Sequence, residues 1–230
     1  MNLGRVNLII TIDGPAGAGK STAAKALASR LHFLYMDTGA MYRAVTLKAL
    51  RKGVDWQDRV ALIALTRTTT VILRQARSGD LEVLLDGEDV SAAIRQVDVT
   101  EKTQYIAQEP VVRKVVVSWQ RKIGEQGNVV VEGRDVGTVV FPKARYKFYL
   151  DADAEQRITR RLKDFAEQDE KVDAATVRKT VLDRDQSDMT RKASPLKKAD
   201  DAIVIDTTDL TVEQTVAKML GYIDIGGLSL

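Results

Sequence analysis

Apolar positions gather at the start of the chain, where Leu8 to Ile12 forms a β-prone run that feeds a loop with three glycines. From Lys20 to Leu31, Ala and Leu then recur at helical spacing, so the opening reads strand, loop, helix. Phe33-Leu34-Tyr35 predicts a second strand, and a helical pattern from Asp37-Thr38 runs to Lys52 before Gly53. Asp58 to Leu65 reads as a short helix. From Thr69 the period changes to that of strands: Val71-Ile72-Leu73, a turn at Ser78-Gly79-Asp80, Leu81 to Leu85, the Asp86-Gly87 turn, and Asp89-Val90. Asp-Gly between two short runs is a hairpin signal, so this stretch predicts a small antiparallel meander. A helix from Pro110 to Glu125 follows, then strands at Asn128 to Asp135, Tyr146 to Leu150 and Ala202 to Asp206, and a helix from Thr211 to about Ile223.

Five of these strands fit a parallel sheet of an α/β fold, and an antiparallel meander does not belong inside a parallel βα repeat. Thr38 to Gln126 therefore reads as an inserted lobe. The whole is expected to be one domain: core 1–37, 127–155 and 199–230, lobe 38–126, and a helical lid region 156–198. In open α/β sheets, ligands sit beyond the carboxyl ends of the strands. Gly14, Asp37 and Arg134-Asp135 each follow a predicted strand end and can converge there.

Composition narrows the chemistry. The 230 residues hold no cysteine and a single histidine, which excludes disulfides, thiolate nucleophiles and any metal site needing two histidines. His32, between a helix and the next strand, reads as structural. No run of eighteen apolar residues occurs, and Met1 to Ile12 is read as already the first strand rather than a leader; a cytoplasmic protein with no membrane partner is expected. The net charge is only +3, mild for a nucleic-acid binder, and no such partner is expected. The excess is concentrated: Gln156 to Lys198 holds twelve Lys or Arg against eight Asp or Glu. A solvated helix pair accounts for Lys163, Lys171 and Lys179. Arg157, Arg160 and Arg161, however, share one helix face, and Arg184, Asp188 and Arg191 fall at i, i+4 and i+7 on the next helix. Two such faces suggest a lid that closes on triphosphate. The tail Gly226-Gly227-Leu228-Ser229-Leu230 is expected to fray.

The loop itself, Gly14-Pro15-Ala16-Gly17-Ala18-Gly19-Lys20-Ser21-Thr22, reads G-x-x-x-x-G-K-S between strand and helix. Glycines let the backbone turn its N–H groups inward, making a concave anion site capped by a helix N-terminus. Lys20 would reach the β- and γ-phosphates of a nucleotide, and the Ser21 hydroxyl would hold Mg²⁺. A ligand-free glycine-rich turn is the plainer explanation, but the motif is complete and in its required context. A switch GTPase needs Asn-Lys-x-Asp, and Asn2, Asn7 and Asn128 are followed by Leu, Leu and Val. Helicase or transporter signatures are not found. A small-molecule kinase remains, with arginines from four segments available as charge clamps.

These stretches, with Asp37-Thr38-Gly39-Ala40-Met41-Tyr42-Arg43, Glu132-Gly133-Arg134-Asp135-Val136-Gly137-Thr138-Val139-Val140-Phe141-Pro142, Arg184-Asp185 through Asp188 to Arg191, Ser194-Pro195-Leu196 and Ala199-Asp200-Asp201-Ala202, resemble the bacterial cytidylate kinases of the nucleoside-monophosphate kinase superfamily. The resemblance runs from the loop to about Asp206, and the Leu85 to Arg95 hairpin is similar to the insert of the bacterial members. It implies a P-loop kinase fold with a central five-stranded parallel sheet, an inserted monophosphate-binding lobe with a small antiparallel sheet, and a helical lid. It further implies ATP-dependent phosphorylation of CMP and dCMP with Mg²⁺. Carried over by motif, Thr38, Arg43, Arg134 and Arg191 would grip or orient the CMP phosphate, Asp188 with Arg184 would meet the ribose, and Arg113 with Asp135 would read cytosine. Lys20, Arg191, Arg157 and Arg161 are the expected catalytic groups, with Arg160 as a third lid candidate. Asp135 as a structural partner of Arg134 or Arg184 is the competing reading. Gln104 stands where the family often has Ser, and its role stays open. Nothing in the sequence demands a dimer, and a monomer is expected.

Overall fold

Strands that read as unbroken apolar runs become the middle of a sheet covered on both faces. In the computed structural model, which describes residues 7–76, 81–167 and 172–224, strand β1 (Ile9–Asp13) buries Ile10, Thr11 and Ile12 completely, and β6 (Val129–Gly133) does the same with Val129, Val130 and Val131. With β2 (Leu34–Asp37), β7 (Tyr146–Asp151) and β8 (Ile203–Asp206) they form a parallel five-stranded sheet in the order β2-β6-β1-β7-β8. Ile10 lies opposite Tyr146 and Phe148 opposite Ile203.

Helix α1 (Lys20–Leu31) has the bounds that its Ala and Leu spacing predicts. His32 ends it in the left-handed region at φ 53°, its N–H donating to the Ala28 and Ser29 carbonyls, in agreement with a structural reading. Asp37 caps α2 (Thr38–Arg51), and α3 (Arg59–Arg67) follows from its own Asp58 cap. Strands β3 (Val71–Gln75), β4 (Leu81–Leu85) and β5 (Glu88–Asp89) are the predicted meander, paired antiparallel. The turn expected at Ser78-Gly79-Asp80, the solvated Lys171 and the tail from Gly226 lie outside the described residues.

Helix α4 (Val97–Gln108) was not legible in the pattern. It buries only Val99 and Ile106, two positions seven apart among polar neighbours, too narrow a stripe to announce a helix. Helix α5 (Pro110–Gly124) starts on the Glu109 cap with proline at its first position. After β6 the chain makes a five-residue π-type turn, Val136–Val140, in which the Val139 and Val140 N–H groups both donate to the Asp135 carbonyl. Helices α6 (Ala154–Glu167) and α7 (Ala174–Thr190) pack through Ile158, Val177 and Val181. A capping box at Thr211 opens α8 (Val212–Leu220).

The described residues divide into two compact units, Asn7 with Leu34–Val129, and Leu8–Phe33 with Val130 onward.

Candidate active site

In the second unit the glycine-rich loop is shaped by backbone that only glycine tolerates. Gly14 sits at φ 148°, and a Cβ there would lie 2.0 Å from the Leu150 carbonyl oxygen. Lys20 is 5% exposed, and its ammonium donates to the Pro15 carbonyl at 2.6 Å. Burial pushes this ammonium down to about 7, with Arg134 and Arg184 acting the same way against Glu132 and Asp188. The Ser21 hydroxyl donates to Glu132 Oε1 at 2.5 Å. Hydroxyl and carboxylate are hard oxygen donors of the kind Mg²⁺ prefers. Among the described residues no group of three or more His, Cys, Asp or Glu side chains placed to hold a metal ion occurs.

At the carboxyl end of β6, Arg134 Nε donates to Asp188 Oδ2 at 2.8 Å, and Asp188 Oδ1 lies 3.6 Å from Arg191 Nη1. Arg191 Nη2 in turn lies 3.6 Å from Asp135 Oδ1, and its Nε donates to the Ser194 carbonyl at 2.6 Å. Burial raises the Asp188 carboxyl, but Arg134, Arg184 and Arg191 outweigh it and hold the group below the carboxylate range. Four of the sequence-predicted residues, Arg134, Asp135, Asp188 and Arg191, are thus brought together, with Arg184 within electrostatic reach. Two details differ from expectation. Arg191 is not on the helix with Arg184 and Asp188: α7 ends at Thr190, and Arg191 caps it with ψ 138°, so the turn that follows aims its side chain. Asp135 has the Arg191 guanidinium beside it, a partner the sequence reading did not name.

The three arginines of α6 do not act as one face. Arg157 is buried, donating to the Ala152 carbonyl at 3.1 Å and the Ala16 carbonyl at 3.1 Å, and pairing with Asp185. Arg160 holds the Thr207 hydroxyl at 3.1 Å and the Thr207 carbonyl at 2.5 Å. Arg161 turns away to Asp164 at 3.3 Å and stacks 4.7 Å from the Phe165 ring centroid.

In the first unit, Asp37 uses one carboxylate oxygen to cap α2 at the Ala40 N–H and the other to accept from Arg43 Nη2 at 2.6 Å. Burial raises this carboxyl, but Arg43 and the Ala40 N–H outweigh it and keep it ionised. Thr38 is the buried first residue of the same helix. Arg113 is buried on α5, donates to the Ala107 carbonyl at 3.0 Å, and lies 5.2 Å from the Tyr42 ring centroid. Gln104 is exposed on α4.

A family model described as cytidylate kinase matches residues 10–225. The chain belongs to the cytidylate kinase family. Relatives named cytidylate kinase include one from Desulforamulus reducens, 46% identical over 94% of this chain and 97% of its own length, and one from Enterococcus faecalis, 45% identical over 96% and 97%. A solved structure of an uncharacterized protein from Eubacterium ventriosum is similar in fold, with TM-score 0.50 and 14% identity over 95% of this chain and 99% of that one. As a member of the cytidylate kinase family, the chain shows three buried carboxylates around its loop that spacing did not single out. Asp13 accepts from the Val136 and Gly137 N–H groups at 2.8 and 2.7 Å, and burial raises its pKa to about 6. Glu132 receives Ser21, and Asp185 receives Arg157. The only sequence signal for Asp13 is its place at the end of a strand, where a polar residue interrupts an apolar run; Glu132 and Asp185 stand in stretches that carry the family resemblance but were given no role.

Proposed function

We propose that the chain transfers the γ-phosphoryl of ATP in line to CMP, giving ADP and CDP, and that dCMP is a second acceptor. One observation supports this reading most: the cytidylate kinase family model spans residues 10–225, which include both the glycine-rich loop with its buried Lys20 and the cluster of Arg134, Asp188 and Arg191. The acceptor is already an anionic nucleophile, since a phosphate monoester loses its second proton near pH 6, about one unit below neutrality. No general base is needed, and catalysis is alignment and charge neutralisation.

In this reading Gly14 to Thr22 cradle the ATP phosphates through backbone N–H groups, and Lys20 moves from Pro15 to the transferring phosphoryl. Ser21, with Glu132 behind it, would hold Mg²⁺, which when bound neutralises phosphate charge. Arg134 and Arg191 grip the acceptor phosphate, and Thr38 and Arg43 carry the same assignment from their motif. Asp188 with Arg184 meets the ribose, and Asp135 with Arg113 reads cytosine. Arg161 is the lid arginine proposed for the developing charge; Arg157 is treated below. A monomer working in the cytoplasm belongs to the same proposal; among the described residues no helix is long and apolar enough to cross a membrane.

The test is ADP release by the purified protein with ATP, Mg²⁺ and each nucleoside monophosphate in turn. CMP is expected to be the best acceptor. Activity with AMP or GMP but none with CMP overturns the acceptor, and no activity with any acceptor overturns the reaction.

A further inference from the structure

We infer that Arg157 and Asp185 are positioning residues for the phosphate loop, a buried ion pair that fixes both backbone polar groups of Ala16 and thereby sets ATP affinity. The inference rests on the reading of the loop as the ATP site. The Ala16 N–H donates to Asp185 Oδ1 at 3.2 Å, and the Ala16 carbonyl accepts from Arg157 Nη1 at 3.1 Å. These groups belong to two successive peptide planes. In a trans peptide the carbonyl and the N–H point in opposite directions, so fixing one aims the other. With the Ala16 N–H turned to Asp185, the Pro15 carbonyl of the same plane faces the opposite side, where it receives the Lys20 ammonium at 2.6 Å. With the Ala16 carbonyl turned to Arg157, the Gly17 N–H of the next plane is aimed away from the pair. That N–H is one of the donors a phosphate-binding loop must point inward.

The closeness of the contact leaves little room for another arrangement. A Cβ on Gly17 would lie 2.8 Å from the Arg157 carbonyl oxygen and 2.9 Å from its Cβ. Helices α6 and α7 are also joined through Ile158, Val177 and Val181, so their packing has apolar contacts besides the ion pair. Both charges are required. Asp185 alone would set an uncompensated carboxylate beside a polyanion site, and Arg157 alone would lose the anion that aims its Nη1 at the Ala16 carbonyl. Arg157 therefore acts through the loop and not on the transferred phosphoryl.

Calorimetry of ATP-Mg²⁺ binding without CMP, of CMP binding without ATP, and thermal melts of Asp185→Asn, Arg157→Met and the double variant test this. The single variants are expected to weaken ATP binding roughly tenfold or more, the size of a lost charge-assisted contact, while CMP binding stays within about twofold. The double variant is expected to bind no worse than the weaker single one. Should Arg157→Met fail to fold, Asp185→Asn and Arg157→Lys carry the same comparison. ATP affinity unchanged in folded variants, equal losses for ATP and CMP, or a kcat loss in Arg157→Met without loss of ATP affinity would each overturn the inference. Unaltered protein that binds no ATP would overturn the reading of the loop itself.

Discussion

Asp188 holds Arg134 by a 2.8 Å hydrogen bond between its carboxylate and the guanidinium Nε, while Nη1 of the same arginine donates to the Gly133 carbonyl at 3.2 Å. The same carboxylate has Arg191 at 3.6 Å, so one anion orients two cations of the proposed acceptor site. Asp188→Asn should keep the shape and lose the charge, lowering kcat/KM for CMP by roughly ten- to a hundredfold. If Asp188 serves only as an anchor for the arginines, CMP and dCMP should suffer equally. A loss confined to CMP would instead make its contact with the ribose 2′-hydroxyl the main role.

The Lys20 ammonium, lowered to about 7, predicts a proton linked to ATP binding. Phosphates favour the charged form and raise the bound value, so binding at pH 8 should take up a proton and ATP affinity should fall as pH rises from 7 to 9. Calorimetry in two buffers of different ionisation enthalpy reads the uptake. Lys20→Met should abolish it and lower kcat by roughly a hundredfold or more. An uptake identical in that variant would assign the proton to another group.

Asp135 and Arg191 approach within 3.6 Å with both side chains buried, so Asp135 has a structural partner as well as a proposed base-reading role. Cytosine presents an N4 donor where uracil presents an acceptor, so a carboxylate facing that edge discriminates between them. Asp135→Ala should reduce kcat/KM for CMP by roughly ten- to more than a hundredfold, the cost of about 1.5–3 kcal/mol for a charged hydrogen bond. The CMP-to-UMP ratio decides between the roles. Collapse of the ratio supports base reading, and parallel losses leave only support of Arg191.

The Asp37 carboxyl is held below its ordinary value of 3.8, which carries a sign for stability. The folded state binds this proton less readily than the unfolded state, so the contribution is full above about pH 4 and is lost as pH falls through the folded value. Asp37→Asn keeps an oxygen for the Ala40 N–H but removes this acid dependence, whereas Asp37→Ala also loses the cap, worth about 0.5–2 kcal/mol. Melting temperatures between pH 2.5 and 7 check both. An acid slope unchanged in Asp37→Asn would refute the assignment.

What the sequence determined by itself was whatever neighbouring residues encode together. The span from Gly14 to Ser21 is contiguous, and its glycines and lysine must meet wherever the chain goes; the Ala and Leu spacing of α1 and the Asp86-Gly87 turn are equally local. Family membership rested on such runs. Tertiary structure alone decided which charge faces which. Ala16 and Asp185 are 169 positions apart, Ser21 and Glu132 are 111 apart, and no periodicity relates them. Arg157, Arg160 and Arg161 share a helix face by spacing, yet each has its own anion or carbonyl, because a guanidinium goes to whatever acceptor packing leaves within about 3 Å. Arg191 left the helical register because α7 ended one residue before it. Helix α4 escaped notice because its two buried residues find their apolar partners in other elements of the chain, which the local pattern cannot record.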